Sequence, residues 1–477
     1  MIFKFTIKSL IFLVFLSTSA VAQERYILNN AQIITFENNF DPYLGHVIIN
    51  NNLIEAVEAG IYKNETNTIK IIDCQKKYLL PGFIDSHTHT KSIPGMAIEQ
   101  EKNEENKNII KNYKQQMPKS YLYFGYTTIL DLSLGDKNIQ TAFNKGTDHP
   151  QLLISGGPIA EKEGYPLIYI ENNNDFNIIN SQSKNPNIQI DKAINRIVLN
   201  DGKVLKLFYE KGFGKNDQLP NLSKNNFRYI IKEAHKENIP VIIHANSLEA
   251  FKNTIDFKHD AYAHGLWRWS SEAKNSAELP NEVLNILHKI LLNKIAYQPT
   301  TQVVHGLYLL YDNNFLDRHE VSKIITKNMI EWLKSEKNQV LAKEIKAGLT
   351  KEQAYHIFSN GQKTLNYIAK LNGHLLFGTD TPSAPIHTNL PGYNGFLEML
   401  NWSKAGVTNK QILMAATINN AKFLKLENKI GSIAANKTAN LIILKHNPLE
   451  NIENTNSIQK IILNGKIILR ESLSVKN

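Results

Sequence analysis

The chain has a single cysteine, Cys74, among 477 residues. No disulfide can therefore form within it, and stability has to come from burial. That thiol follows Ile71-Ile72-Asp73 with no histidine nearby in sequence to activate it, which reads as a buried structural cysteine rather than a nucleophile. There is no second long apolar run after the first residues. The one that exists, from Leu10 to Leu16, is far short of the ~20 residues needed to cross a bilayer. No cysteine stands directly after it, where a bacterial lipid anchor is expected to have its acceptor. The formal charge is +10, yet the sequence lacks an arginine cluster or a basic stripe interleaved with aromatics, which argues against nucleic acid as a partner. The excess is spread over Lys- and Asn-rich segments of a solvated surface.

What stands at the N-terminus is a leader pattern. Lys4 and Lys8 precede the apolar run, and small residues close it at Ala20-Val21-Ala22, the order of a secretory signal peptide. The expectation is removal of residues 1–22 and an exported protein, periplasmic or secreted, with no membrane insertion afterwards. The remainder is long enough for one large barrel plus an accessory domain.

From Tyr26 to about Leu80 short strand-like runs alternate with turns, among them Asn50-Asn51-Asn52. The far end repeats this style, with Ala439 to Leu444, Ile458 to Leu463, an Asn464-Gly465 turn and Lys466 to Leu469. Residues 23–80 and 431–477 are expected to build one small β-sandwich together. Between them, in 81–430, eight apolar runs alternate with helical patterns: 80–87, 126–132, 151–155, 204–209, 241–244, 261–264, 294–299 and 375–380. Such alternation predicts the α/β class and a (β/α)8 TIM-like barrel, with its site at the C-terminal strand ends. A doubly wound sheet would need a Gly-rich loop after the first strand, which here ends in His-Thr-His. Residues 312–372 exceed one connection and read as a helical insertion, with Ile324, Ile325, Met329, Ile330 and Trp332 at helical spacing. The Asn- and Lys-rich stretches 100–118 and 171–187 read as surface loops or helices.

His87 and His89 lie two apart at a strand end, so both imidazoles project to one side, where they can grip one divalent metal. Alone, this is a short motif that chance supplies. Asp380 ends the eighth run; a carboxylate there can bind a metal and relay a proton to a leaving amine, and an N-cap role is compatible with that.

Leu80-Pro81-Gly82-Phe83-Ile84-Asp85-Ser86-His87-Thr88-His89 resembles the motif of the amidohydrolase superfamily in which this strand leads from sandwich to barrel. Gly378-Thr379-Asp380 resembles the family's last active-site motif, and Ala415-Ala416-Thr417, Asn420-Ala421 and Gly431-Ser432-Ile433 resemble its route back to the sandwich. The likeness covers nearly the whole chain after the leader. One departure is Asn440, where many relatives have Asp. The resemblance implies further ligands at the ends of strands four, five, six and eight, here Lys206, His244, His264 and Asp380. Lys206 stands where relatives carry a lysine that reacts with carbon dioxide; burial that lowers a lysine pKa would permit such a carbamate. Taken by itself, the position also fits an ordinary strand-end lysine. The implied site holds two divalent metal ions, zinc by default: His87, His89 and Asp380 on one, His244 and His264 on the other, carbamylated Lys206 bridging, and Asp380 as the catalytic proton carrier.

Ala296-Tyr297-Gln298-Pro299-Thr300 adds likeness to the branch of imidazolonepropionase and Xaa-Pro dipeptidases. That implies a small-molecule substrate: a small amide, a dipeptide or an N-acyl amino acid. Tyr209 and Arg268 are candidates to bind a substrate carboxylate, and a homo-oligomer is compatible with all of this. A mononuclear deaminase of the same superfamily is the nearest rival, although such relatives usually place a Glu shortly after the fifth-strand His, where this chain has Ala245-Asn246-Ser247. The same metals would also serve lactone or phosphoester hydrolysis, and the same fold without metals would serve as a scaffold or binding protein.

Overall fold

Strands from the two ends of the chain meet in one sheet. The computed structural model describes residues 25–37, 40–63, 69–170, 173–213, 216–269, 278–382 and 386–476, so the expected leader lies outside the described residues. The sheet runs in the order Lys466–Leu469, Ile458–Leu463, Leu441–Leu444, Tyr78–Pro81, Arg25–Ile33, Tyr43–Asn50, Leu53–Ala59, with Lys70–Asp73 pairing alongside Arg25–Ile33. The two ends join where Leu441–Leu444 lies antiparallel to Tyr78–Pro81. Alternation divides this strand pair between two cores. Leu79, Leu441 and Ile443 pack with Ile33, Val47, Ile49 and the buried Cys74, while Leu80, Ile442 and Leu444 join the main core of the molecule. The sheet curls over the first of these cores far enough for the Tyr26 hydroxyl to donate to Gly465 O at 2.7 Å. Asn464 and Gly465 both take left-handed φ, as a two-residue hairpin turn requires.

Seven of the eight expected runs are parallel strands. Phe83–Thr88 pairs with Tyr126–Asp131 and that with Gln151–Ile154. Leu205–Phe208, Val241–His244, Ala261–Ala263 and Ala296–Gln298 are successive parallel neighbours. Two short strands the sequence does not announce, Ile159–Glu161 and Asn177–Ile179, come from the connection after the third run and pair beside Leu205–Phe208. The eighth run is extended chain held by isolated bridges, Tyr297 to Leu375 and Thr88 to Thr381. Asp380, its last residue, sits at φ +55°, outside strand geometry. Side chains add to the backbone bonds Leu376 N to Tyr297 O, Ser86 N to Phe377 O and Asp380 N to His87 O. The Asn420 amide donates to Ile84 O (2.8 Å) and Phe377 O (2.7 Å) and accepts from Phe377 N (3.1 Å). The Asp85 carboxylate accepts from Thr379 N and, at 2.6 Å, from its hydroxyl.

Each of the eight runs contributes to a single buried cluster, through Ile84, Leu130 and Leu132, Leu153, Val204, Ile242, Ala261 and Ala263, Ala296 and Leu376, joined by Phe423, Leu424 and Ile430. Their neighbours of opposite parity, such as Leu205, Leu207, Ile243 and Tyr297, pack against the helices. Residues two or four beyond the cluster on the same side are Lys206, His244, Gln298 and Asp380, so strand parity alone brings them to one place. The 312–372 region is helical as expected, with helices His319–Ile324, Lys327–Lys334, Val340–Gly348 and Lys351–Lys370. Among the described residues, no helix is long and apolar enough to cross a membrane.

Candidate metal centre

His87, His89 and Asp380 place their ligand atoms within 4.8 Å of one another. Each imidazole is turned by a partner behind it. His87 Nδ1 donates to Gln298 Oε1 (2.8 Å), whose amide nitrogen donates to the Ser86 hydroxyl (2.8 Å). His89 Nδ1 donates to Ser133 Oγ (2.9 Å), which donates to Asp131 Oδ1 (2.9 Å). These bonds assign the proton to Nδ1 in both rings and leave the two Nε2 lone pairs facing Asp380 Oδ1, at 3.1 Å from His87 and 2.8 Å from His89. Two lone pairs and a carboxylate oxygen turned toward one point form a donor set that suits a divalent metal. Gly378 is part of this packing: a Cβ there would lie 2.7 Å from both His87 Cβ and Gln298 Cδ.

Lys206 is fully enclosed, with Nζ 3.5 Å from His87 Nε2. On its other side, His264 Nε2 meets His244 Nδ1 at 2.9 Å. His264 Nδ1 is held by the Thr300 hydroxyl at 2.7 Å and lies 3.7 Å from Asp380 Oδ2. All six expected ligands are thus brought together. Thr300 and Asp380 both hold left-handed φ without being glycine, the kind of backbone strain that collects at functional sites.

Burial sets the protonation states. It brings the Lys206 amine down to about 7, against the pull of Asp380. It pushes His87 to about 4, helped by the charge of Lys206, and holds His244 and His264 well below the usual histidine range. Burial opposes ionisation of Asp380 most strongly, but His264 and His87 together keep its carboxyl well below the usual range. Neutral imidazoles, an ionised carboxylate and a readily deprotonated lysine are the states that metal ligation needs.

Beyond the ligands, the two expected substrate residues part company. Tyr209 packs on Phe227 at 5.4 Å, on the helix side of its strand, which corrects its expected place at the mouth. The reason is parity: Lys206, Phe208 and Glu210 share one side, and 209 falls on the other. The Arg268 side chain is 34% exposed, with Nη1 3.3 Å from Glu210 Oε1. Five residues at the site were not anticipated from the sequence: Gln298, Ser133, Thr300, Glu210 and Tyr165, whose ring lies 4.8 Å from His244. Alternation from Lys206 and Ala296 could have found Glu210 and Gln298. Tyr165 comes from an irregular loop and carries no such signal.

Residues 78–468 match the amidohydrolase family. An imidazolonepropionase of Pseudoalteromonas atlantica (strain T6c) is 37% identical over 82 residues, 16% of this chain and 20% of that protein. A dihydroorotase of Elusimicrobium minutum (strain Pei191) is 41% identical over 71 residues, 15% of each. These matches span a fifth or less of the curated relatives' length. Among solved structures, a Xaa-Pro dipeptidase with bound methionine aligns with TM-score 0.66 and 18% identity, covering 93% of this chain and all of that one. Ochratoxinase of A. niger aligns with TM-score 0.65 and 16% identity, covering 94% and 96%. Likeness at that identity concerns the fold.

Proposed function

The chain belongs to the amidohydrolase family, and from that premise we propose that it is an exported metal-dependent hydrolase cleaving the carbon–nitrogen bond of a small amide, a dipeptide or an N-acyl amino acid. The observation that carries this reading is the convergence of His87, His89 and Asp380 on one point, with Lys206 beside them and the His244–His264 pair beyond. On this reading the parallel runs close into a (β/α)8 barrel. The buried cluster to which all eight runs contribute supports closure, as do the bonds Lys203 N to Ile154 O, Leu376 N to Tyr297 O and Asp380 N to His87 O across its three seams.

His87, His89 and Asp380 would hold one divalent metal ion and His244 and His264 a second, both taken as zinc. When bound, such ions activate water near neutral pH and polarise a carbonyl. Lys206, neutral in a good fraction of molecules at pH 7, is in the form that takes up carbon dioxide, and the carbamate would bridge the two positions. Asp380 accepts the proton of the attacking water and returns it to the leaving nitrogen. Arg268 offers its guanidinium to a carboxylate on the substrate. Export to the periplasm or the medium rests on the order of basic, apolar and small residues in 1–22.

A mononuclear deaminase is the second reading, favoured by the compactness of the His87, His89, Asp380 group, which would serve one metal by itself. Metal analysis of protein purified without chelator separates the two. About two metals per chain are expected, falling in Lys206→Ala. A single metal that survives Lys206→Ala would sink the bridged site. Turnover of dipeptides and N-acyl amino acids, against ammonia release from aminopurines, then decides the bond cleaved.

A further inference from the structure

Three residues gather in a layer above the proposed ligands. Glu210 lies four residues beyond Lys206, Asn246 two beyond His244, and Arg268 four beyond His264. Tyr165 spans the gap between the layers, its ring 4.8 Å from His244 on one side and 5.5 Å from Phe213 on the other. We infer that Glu210 is a positioning residue that aims Arg268 at the substrate, so that the site selects molecules with a free carboxylate near the scissile amide.

Glu210 is 3% exposed. Its Oε1 accepts from Lys211 N at 3.0 Å and faces Arg268 Nη1 at 3.3 Å, while its Oε2 is buried with no hydrogen-bond partner among the described residues. A buried carboxylate is costly to keep unless a cation answers it. The Lys211 ammonium is engaged elsewhere, with Glu249 at 2.6 Å, which leaves Arg268 as the answering charge. Glu210 caps no helix and ties no strands together, so its charge acts on Arg268.

Arg268 is correspondingly fixed. Its backbone N donates to Asn246 O (2.9 Å), and its carbonyl accepts from Leu248 N (2.9 Å). Its Nη1 also lies 3.4 Å from Asn246 Oδ1, and its guanidinium sits 4.8 Å from the Phe213 ring centroid. All these side-chain contacts fall on one edge and one face. Nε and Nη2 have no hydrogen-bond partner among the described residues, and a guanidinium edge with two free N–H groups matches a carboxylate in a bidentate pair. Glu210 holds one side of the fork and the substrate takes the other.

This inference rests on the hydrolase reading for its substrate, and the test keeps the two apart. Leucyl dipeptides and their C-terminal amides are titrated by calorimetry into the wild type, Glu210→Gln, Arg268→Met and the double variant, with hydrolysis followed in parallel and metal content as the check on folding. The wild type should bind the acids about tenfold tighter than the amides, roughly one charge-assisted pair. Glu210→Gln should remove most of that preference and raise KM for the acids at nearly unchanged kcat. It should have no further effect in the Arg268→Met background, because a residue acting through another is not additive with it. Equal binding of acid and amide by the wild type overturns the inference, as do additive effects, an equal weakening of both ligands by Glu210→Gln, or no binding of either. Preference for the acids without turnover leaves this subsite standing and overturns the hydrolase reading; turnover indifferent to the carboxylate does the reverse.

Discussion

At the scale of single residues, the site depends on side chains that would touch no metal. Gln298 and Ser133 decide which nitrogen of His87 and His89 carries the proton, and so whether Nε2 is free to bind. Ser133→Ala leaves His89 able to turn and to place its proton on either nitrogen. Metal affinity in a chelator competition should fall about 10- to 100-fold, with thermal unfolding of the apo protein little changed. The two substrate residues expected from sequence mark how far single positions can be read. Arg268, four beyond the strand-end His264, lies 3.3 Å from the Glu210 carboxylate. Tyr209 misses the mouth by one position of parity, whereas its neighbour Glu210 lies on the productive side.

At the scale of elements, the eighth run matters most. It carries Asp380, and its backbone bonds to both neighbouring runs are supplemented by the side chains of Asn420 and Asp85. Asn420 is fully buried, and Asn420→Ala would remove its side-chain bonds to Ile84 O and Phe377 N, while Phe377 O keeps Ser86 N and the Ser86 hydroxyl, a loss of about 2 kcal/mol in denaturant unfolding. Gly378→Ala is the sharper probe of catalysis. Its added methyl would press on His87 and Gln298, and a shift of the ligands by a fraction of an ångström should lower kcat on the order of 100-fold. Wild-type kcat in that variant would show that the segment tolerates more slack than its packing indicates. The helices of 312–372 were legible from apolar spacing because an amphipathic stripe is a local property. The strands Ile159–Glu161 and Asn177–Ile179 were not, since three-residue ladders exist only through their partners.

At the scale of the whole molecule, burial that serves the core also sets its response to acid. His259 is 4% exposed, packs edge-on against Tyr262, and has no hydrogen-bond partner on either ring nitrogen among the described residues. Burial holds its pKa at about 3. Between that value and the ordinary 6.5 the unfolded chain binds the extra proton and the native one does not, so stability is lost as pH falls through this window. His259→Phe should remove about 2–3 kcal/mol of the loss between pH 7 and 4.5, read as the difference between wild-type and variant unfolding free energies at the two pH values. An equal acid loss in both proteins would show that His259 is not responsible. The amino-acid sequence by itself determined where His87, Lys206, His244 and Asp380 fall, because placement at the ends of apolar runs is a local feature. Only the tertiary structure decided that the eighth run is not a regular strand, that Leu441–Leu444 and Tyr78–Pro81 are the strands joining the two chain ends, and that Glu210 and Asn246 lie against Arg268. Each of these is a contact between residues dozens to hundreds of positions apart or a backbone angle fixed by such contacts, and no pattern along the chain encodes the distance between them.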